Sequence, residues 1–282
     1  IKMAAPAERA TLLDPTQADS NARAELTTPA CSLSVVVPAY NEEKRLANML
    51  RETIYYLQQR EQAEGLMFTW EIIVVDDGSA DRTSDVALRF SREYTQDRVR
   101  VLRLHTNCGK GVAVREGMLA SRGRLLLMAD ADGATRFADI EHLEQHFIGR
   151  DKPADTMLLV AGSRAHLQNV KRSFYRGVLT QIFHFLVALA IGGAIKDTQC
   201  GFKLFGREAG KRLFSNLHVR RWAFDVELFY MASRLGIEVR EEPVTWTEIP
   251  GSKMRVTGMM QMAKELLLIR CMYLVGAWRL IS

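Results

Sequence analysis

The sequence predicts an α/β fold, a mostly parallel sheet flanked by helices, and three observations carry that prediction. From residue 33 to about residue 165, short apolar runs alternate with segments of helical periodicity, the pattern that builds right-handed strand-helix-strand crossovers. Each of these runs ends in a polar turn bearing glycine or proline, and sheets of this kind bind ligands beyond the carboxyl ends of their strands. Finally, 282 residues with 48% hydrophobic and 25% charged side chains suffice for one large core.

The first 32 residues are rich in Ala, Thr, Pro and charge and read as a flexible arm. They contain no apolar stretch of signal-peptide or membrane-span length. The chain begins at Ile1 rather than Met, so the reading expects a trimmed start and leaves an upstream membrane anchor open. The remainder, 33–282, reads as one domain, with a sheet-rich half (33–165) and a covering half (166–282).

Leu33 to Val37 is a buried strand expected to stop at Pro38, with Asn41 as helix N-cap and Glu42 and Glu43 in the first turn. Leu46, Leu50, Ile54 and Leu57 then keep helical spacing. A second strand, Ile72 to Val75, ends in Asp76-Asp77-Gly78-Ser79, and Val86, Phe90 and Tyr94 mark the next helix. Val99 to Leu104 is a third strand; the loop Asn107 to Gly111 leads into a helix through Val114, Met118 and Ser121.

The fourth apolar run enters Leu125-Leu-Leu-Met-Ala-Asp130-Ala-Asp132-Gly133. In an extended segment alternate side chains share a face, so Asp130 and Asp132 are expected to point the same way. Two hard oxygen donors there suit Mg²⁺ or Mn²⁺ with a diphosphate; a plain solvated turn is the alternative. A further helix (Phe137, Ile140, Leu143, Phe147) and a strand from Met157 to Ala161 close this half.

In the second half, Gly177 to Ile195 is 19 residues without a formal charge. Gln181, His184 and its glycines favour a buried or membrane-surface helix over a span, and His184 reads as a core or interface histidine. The tail from Met259 to Leu280 mixes leucines with Lys264, Arg270 and Arg279. It is either an interfacial helix or one packed on the protein's own core.

The formal charge is +5, and between Thr156 and Lys196 there are five basic residues (Arg164, Lys171, Arg172, Arg176, Lys196) and no acid. An anionic ligand or an anionic lipid surface accounts for such a stretch. Nucleic acid does not, because aromatics are not interleaved with the basic residues as a stacking surface requires. No G-x-G-x-x-G follows the first strand, which disfavours a dinucleotide oxidoreductase. Cys31, Cys108, Cys200 and Cys271 lack metal-site spacing and read as free thiols.

The phrases VVVPAYNEE (35–43), VVDDGS (74–79), NCGKG (107–111) and MADADGA (128–134) resemble the inverting family 2 glycosyltransferases, whose GT-A fold has a Rossmann-like sheet. The later phrases GSRAHL (162–167), DTQCGFKLF (197–205), RWAFDVEL (221–228), WTEIPGSK (246–253) and GAWRL (276–280) resemble the members that act on dolichyl phosphate. The resemblance implies transfer of glucose from UDP-glucose to dolichyl phosphate at the cytosolic face of the endoplasmic reticulum membrane, giving dolichyl β-D-glucosyl phosphate for protein N-glycosylation. Mannose from GDP-mannose is the alternative within the class, and a non-catalytic nucleotide-sugar binding protein is the alternative outside it. A homo-oligomer is among the assemblies the sequence allows.

Residue by residue, the resemblance implies that Pro38, Ala39, Tyr40 and Glu42 line the nucleotide pocket, with Asp77 at the uridine. Lys110, between two glycines, is expected near a phosphate; a solvated lysine on a helix-start loop is the alternative. Asp130, Ala131 and Asp132 meet the sugar and the metal, Asp132 being the metal ligand. Ala134 stands where related mannosyltransferases have Gln, which leaves the second protein ligand open. Arg164, Arg172, Arg176 and Lys253 are assigned to the acceptor phosphate, and Asp197 and Asp225 to sugar positioning, with Gln199 and Lys203 in the same motifs. Ser252 and Lys253 close over the diphosphate or stay a solvated loop. Asp225 and Glu227 are two apart on a predicted helix, so no dyad is expected.

Overall fold

The structure, a computed structural model, describes residues 29–149, 155–167, 195–249 and 256–281. The arm before residue 29, nearly all of the uncharged 177–195 segment, and Arg172, Arg176, Ser252 and Lys253 lie outside these ranges.

The chain opens with β1 (Cys31–Ala39), α1 (Leu46–Glu64), β2 (Trp70–Asp76), α2 (Thr83–Tyr94), β3 (Val99–Arg103), α3 (Lys110–Ala120) and β4 (Gly123–Ala129). One-turn 3-10 segments flank the short α4 (Ile140–Glu144), and β5 (Leu158–Ser163) follows. Then come β6 (Phe202–Gly206), α5 (Arg207–Ser215), α6 (Phe224–Leu235), β7 (Glu238–Pro243) and α7 (Val256–Leu274). The sheet order is β3-β2-β1-β4-β6-β5-β7. Only β6 runs antiparallel to its neighbours in this sheet.

Alternation along each strand loads both faces of the sheet. Val35, Val37, Ile72, Val74, Leu125 and Leu127 pack with Leu46, Leu50, Ile54, Ile140 and Leu143. Val36, Ile73, Val75, Leu126 and Met128 pack on the other side with Val114, Met118, Phe205, Phe214 and residues of α6 and α7. A sheet covered on both faces needs near-continuous apolar strands, which is why β1, β2 and β4 stand out in the sequence.

The structure corrects three expectations. β1 runs through Pro38 to Ala39. The Ala39 carbonyl accepts the Asp77 N–H from the β2 side, so Pro38 faces β4, whose register with β1 ends at Val36 and Met128; no ladder bond is lost for want of an N–H. Asn41 is not an N-cap: it adopts a positive φ of 53°, its N–H donates to Ser79 Oγ and its side-chain oxygen accepts the Ala80 N–H. It pins the β1 exit to the turn after β2, and α1 starts later, at Leu46. Two strands, β6 and β7, lie in the half read as covering helices. β7, Glu-Val-Arg-Glu-Glu-Pro, is an edge strand whose charges carry no strand periodicity.

The tail helix does pack on the core: Met262, Leu266 and Ile269 are buried in the second cluster. Its other side leaves Leu267, Leu268, Leu274 and Val275 exposed, beside exposed Lys264 and Arg270. Among the described residues no helix is long and apolar enough to cross a membrane. All four cysteines are free.

Candidate active site

The turns at the carboxyl ends of β1, β2 and β4 converge, and each is tied to the next by a side chain. After β1, Glu42 receives a two-pronged bond from Arg45, at 2.6 Å to each oxygen. Arg45 also comes within 3.9 Å of Asp132. After β2, Asp76 is fully buried and accepts from the Ser79 N–H and the Ser84 hydroxyl, so it shapes its own turn. Asp77 reaches further, accepting the Cys108 N–H at 2.7 Å and the Gly109 N–H at 2.9 Å. Burial raises its carboxyl above the usual range against those two bonds.

The Asn107 to Gly111 stretch differs from a phosphate cradle. Its Cys108 and Gly109 amides go to Asp77, and the Gly111 and Val112 amides donate to the carbonyls of Arg221 and Arg220 at 3.2 Å each. A Cβ on Gly109 would lie 2.5 Å from the Arg220 carbonyl oxygen, and one on Gly111 2.5 Å from that of Val219. These glycines admit the 219–221 backbone. Lys110 is the first residue of α3, and its ammonium sits 2.6 Å from Asp130. Burial works against that charge, but Asp130 and then Asp225 hold the lysine above its ordinary range.

Asp130 and Asp132 lie in a turn rather than an extended segment: Gly133 has φ +69°, and its N–H closes back on the Asp130 carbonyl. The two carboxylates nevertheless share one field. Asp132 accepts the Ala134 N–H at 3.0 Å, and burial followed by repulsion from Asp130 lifts its carboxyl above the usual range. Behind Asp130 stands Gly201, where a Cβ would come within 2.0 Å of the Asp130 carboxylate. Gly201→Ala is expected to push Asp130 off Lys110 and lower kcat/KM by about 100-fold, the scale set by an ångström of misplacement. Steady-state kinetics beside a thermal melt that stays near the parent's will check it.

Two further ion pairs complete the rim. Lys203, wholly buried on β6, donates to Asp225 at 2.6 Å and to the Cys200 carbonyl at 2.6 Å. Arg164, just past β5, grips Asp197 through Nε at 2.7 Å and Nη2 at 2.9 Å, with its own N–H adding a third bond. Burial opposes ionisation of Asp197, and the Arg164 fork overcomes it, holding the carboxyl below the usual range. The Arg164 guanidinium also lies over the Trp246 ring, 5.6 Å from its centre. Arg164, expected at an acceptor phosphate, is thus already paired with a carboxylate expected at the sugar. Glu227 turns away from Asp225, as its spacing predicts, to accept the Val219 N–H and the Tyr273 hydroxyl.

The Asp197 pair fixes a pH dependence. A carboxyl lowered on folding contributes stability that is complete above its unfolded value, ordinarily 3.8, and is lost as pH falls through the lower folded value. Asp197→Asn is therefore expected to melt below the parent at pH 6 and to converge with it as pH falls below 3.8 through the lower folded value. Melting curves of both proteins across that range test the sign.

A divalent cation fits this donor set. Among the described residues no group of three or more His, Cys, Asp or Glu gathers. Asp132, partly exposed and with a carboxyl lifted by burial and then by a neighbouring anion, offers the sparse carboxylate shell that Mg²⁺ and Mn²⁺ complete with water and phosphate oxygens.

Residues 34–214 match the family model described as Glycosyl transferase family 2. The chain belongs to that family. This glycosyltransferase is 52% identical over 257 residues to the mouse protein named dolichyl-phosphate beta-glucosyltransferase, covering 90% of this chain and 79% of that one. The Saccharomyces cerevisiae protein of the same name is 41% identical over 261 residues, covering 88% and 76%. Among solved structures, glucosyl-3-phosphoglycerate synthase from Mycobacterium tuberculosis in complex with Mn²⁺ and UDP-glucose superposes with a TM-score of 0.60 at 20% identity, covering 91% of this chain and 82% of that one. The sheet is the GT-A fold that the motifs imply.

Sequence reasoning placed the family motifs but not their partners. Arg45 left no signal, because an arginine at the start of a helix is ordinary. The Lys110–Asp130 and Arg164–Asp197 pairs join residues read separately as ligands of phosphate and sugar. Trp246 opens the WTEIPGSK phrase but carries no assigned role there, although its backbone bridges to Thr135 beside the Asp130 turn.

Proposed function

We propose that this glycosyltransferase transfers glucose from UDP-glucose to dolichyl phosphate, with inversion, at the cytosolic face of the endoplasmic reticulum membrane. The observation that carries the reading is that four carboxylates of the site each have a cation beside them: Asp130 has Lys110, Asp132 has Arg45, Asp197 has Arg164 and Asp225 has Lys203. A sugar hydroxyl acceptor needs a general base, which contributes roughly 10²- to 10⁴-fold. A phosphate monoester, with a second pKa of about 6, is mostly dianionic at neutral pH and attacks unaided. A site rich in paired charges suits the second acceptor.

In this reading Pro38, Ala39, Tyr40, Glu42 and Asp77 hold the uridine side of the donor, where spare carboxylate lone pairs meet its N–H and hydroxyl donors. Asp130 positions the sugar. When bound at Asp132, Mg²⁺ or Mn²⁺ neutralises charge on the departing diphosphate. Lys110 leans from Asp130 toward the same diphosphate as negative charge builds there. An acceptor phosphate oxygen attacks C1 from the face opposite UDP, the C1 to UDP-oxygen bond breaks with its electron pair leaving on UDP, and no proton has to move. Arg164, Arg172, Arg176 and Lys253 screen the approach of the two anions; an arginine fork suits phosphate. The exposed leucines of α7 beside Lys264 and Arg270 support docking on an anionic bilayer. Flotation with anionic vesicles, expected to carry the protein up, tests this; none in the floating fraction would remove the membrane step.

The deciding experiment incubates the protein with a short polyprenyl phosphate, Mg²⁺ and either UDP-glucose or GDP-mannose, with and without chelator. Chelator-sensitive product from UDP-glucose alone is expected. Product from GDP-mannose overturns the sugar, and bound nucleotide without any product overturns catalysis.

A further inference from the structure

We infer that Glu265 of α7 is a positioning residue for the Lys110–Asp130 pair, acting through the loop that precedes α6. The inference rests on the proposed reading of that pair as part of the donor site. Glu265 is buried, and its carboxylate accepts the Ala223 N–H at 2.9 Å while its second oxygen accepts from the Gln261 amide at 3.1 Å. Ala223 stands immediately before α6, where backbone N–H groups lack helical partners, and no side chain at that position supplies a cap. A carboxylate reaching across from α7 does so instead, and its charge suits a helix amino terminus.

That contact is connected to both members of the pair. The first turn of α6 carries Asp225, whose partner is Lys203 and whose charge also acts on Lys110. The same loop presents the Arg220 and Arg221 carbonyls to the Val112 and Gly111 amides, against glycines that leave no room for a side chain. The start of α3, and Lys110 with it, therefore rests on the loop that Glu265 holds. One turn earlier on the same side of α7, the Met262 sulfur accepts from the Gln199 amide at 2.8 Å. Gln199 belongs to the loop whose Gly201 lies against Asp130. One stripe of α7 thus holds the loop behind the lysine and the loop behind the aspartate. Neither Glu265 nor Met262 faces the reacting groups, so their effect passes through these loops.

The test compares Glu265→Gln and Glu265→Met in the full chain, by donor kinetics and by amide hydrogen exchange without ligand. Gln keeps an acceptor oxygen for Ala223, and the Gln261 amide can turn to meet the new donor; kcat/KM for UDP-glucose is expected to stay within about threefold of the parent. Met keeps the volume and removes the acceptor. It is expected to lower kcat/KM about tenfold and to speed exchange at residues 219–227 and also at 109–113, with 99–103 unchanged. Exchange that rises only at 219–227, or variants that lose activity equally and in step with their melting temperature, would overturn the inference and leave Glu265 a purely structural cap. Glu265→Asp, which withdraws the carboxylate by one methylene, gives the same exchange reading should the Met variant fail to fold. If the parent makes no product from UDP-glucose, the proposed function fails, while the exchange pattern still decides the coupling.

Discussion

Asp132→Asn is expected to abolish glucosyl transfer, with a loss of at least about 1,000-fold in kcat, the scale on which preorganised charge at a departing group acts. The substitution is nearly isosteric. Its side-chain oxygen still accepts the Ala134 N–H, so the turn keeps its shape. What goes is the anionic oxygen on the Arg45 side, the atom a cation would take. Because burial and Asp130 already disfavour the Asp132 charge, the variant should melt at or slightly above the parent temperature. Product assays with saturating Mg²⁺, beside a thermal melt and near-ultraviolet circular dichroism, make the comparison. Turnover within tenfold of the parent would remove Asp132 from the metal site.

Lys203→Met should produce the largest loss of stability. It strips the direct partner from Asp225, which burial already pushes above the usual carboxylate range against the pull of Lys203 and Lys110. Removing one member of a buried pair costs about 3–5 kcal/mol, which in a domain of this size lowers Tm by roughly 10 °C. A raised carboxyl costs stability above its unfolded value, and the cost is relieved as pH falls through the folded value. The deficit of Lys203→Met is therefore expected to shrink as pH falls from neutral through that raised folded value. Adding Asp225→Leu should recover much of the melting temperature at neutral pH but not the activity. A single variant that melts with the parent would show that the pair contributes nothing net.

The parts of this molecule that were legible in the sequence are those with a local cause. β1, β2 and β4 are buried on both faces, so they appear as unbroken apolar runs, and the turns after them carry the polar residues and glycines of the family motifs. β6 was illegible because its five residues include Lys203, a cation that only a partner 22 positions away makes tolerable in a core. The packing role of the Asn107 to Gly111 loop is hidden for the converse reason. Glycines beside a lysine suggest backbone opened to a ligand, whereas here the backbone that approaches belongs to residues 219–221 of the same chain. Arg172, Arg176 and Lys253 fall outside the described residues, and the flotation and turnover experiments bear on their assigned roles.

The position of β6 has a consequence for how the chain is made. β4 and β5 are neighbours in sequence order but not in the sheet; β6 separates them and pairs with both. Until residues 202–206 emerge from the ribosome, the growing sheet presents β4 as an open edge, and β5 has no strand on either side. A polypeptide cut near residue 165 would hold the motifs of the donor pocket yet expose that edge, a template for pairing with other chains. Dividing the gene there should yield aggregates from the first piece, and soluble protein only when both pieces are synthesised together.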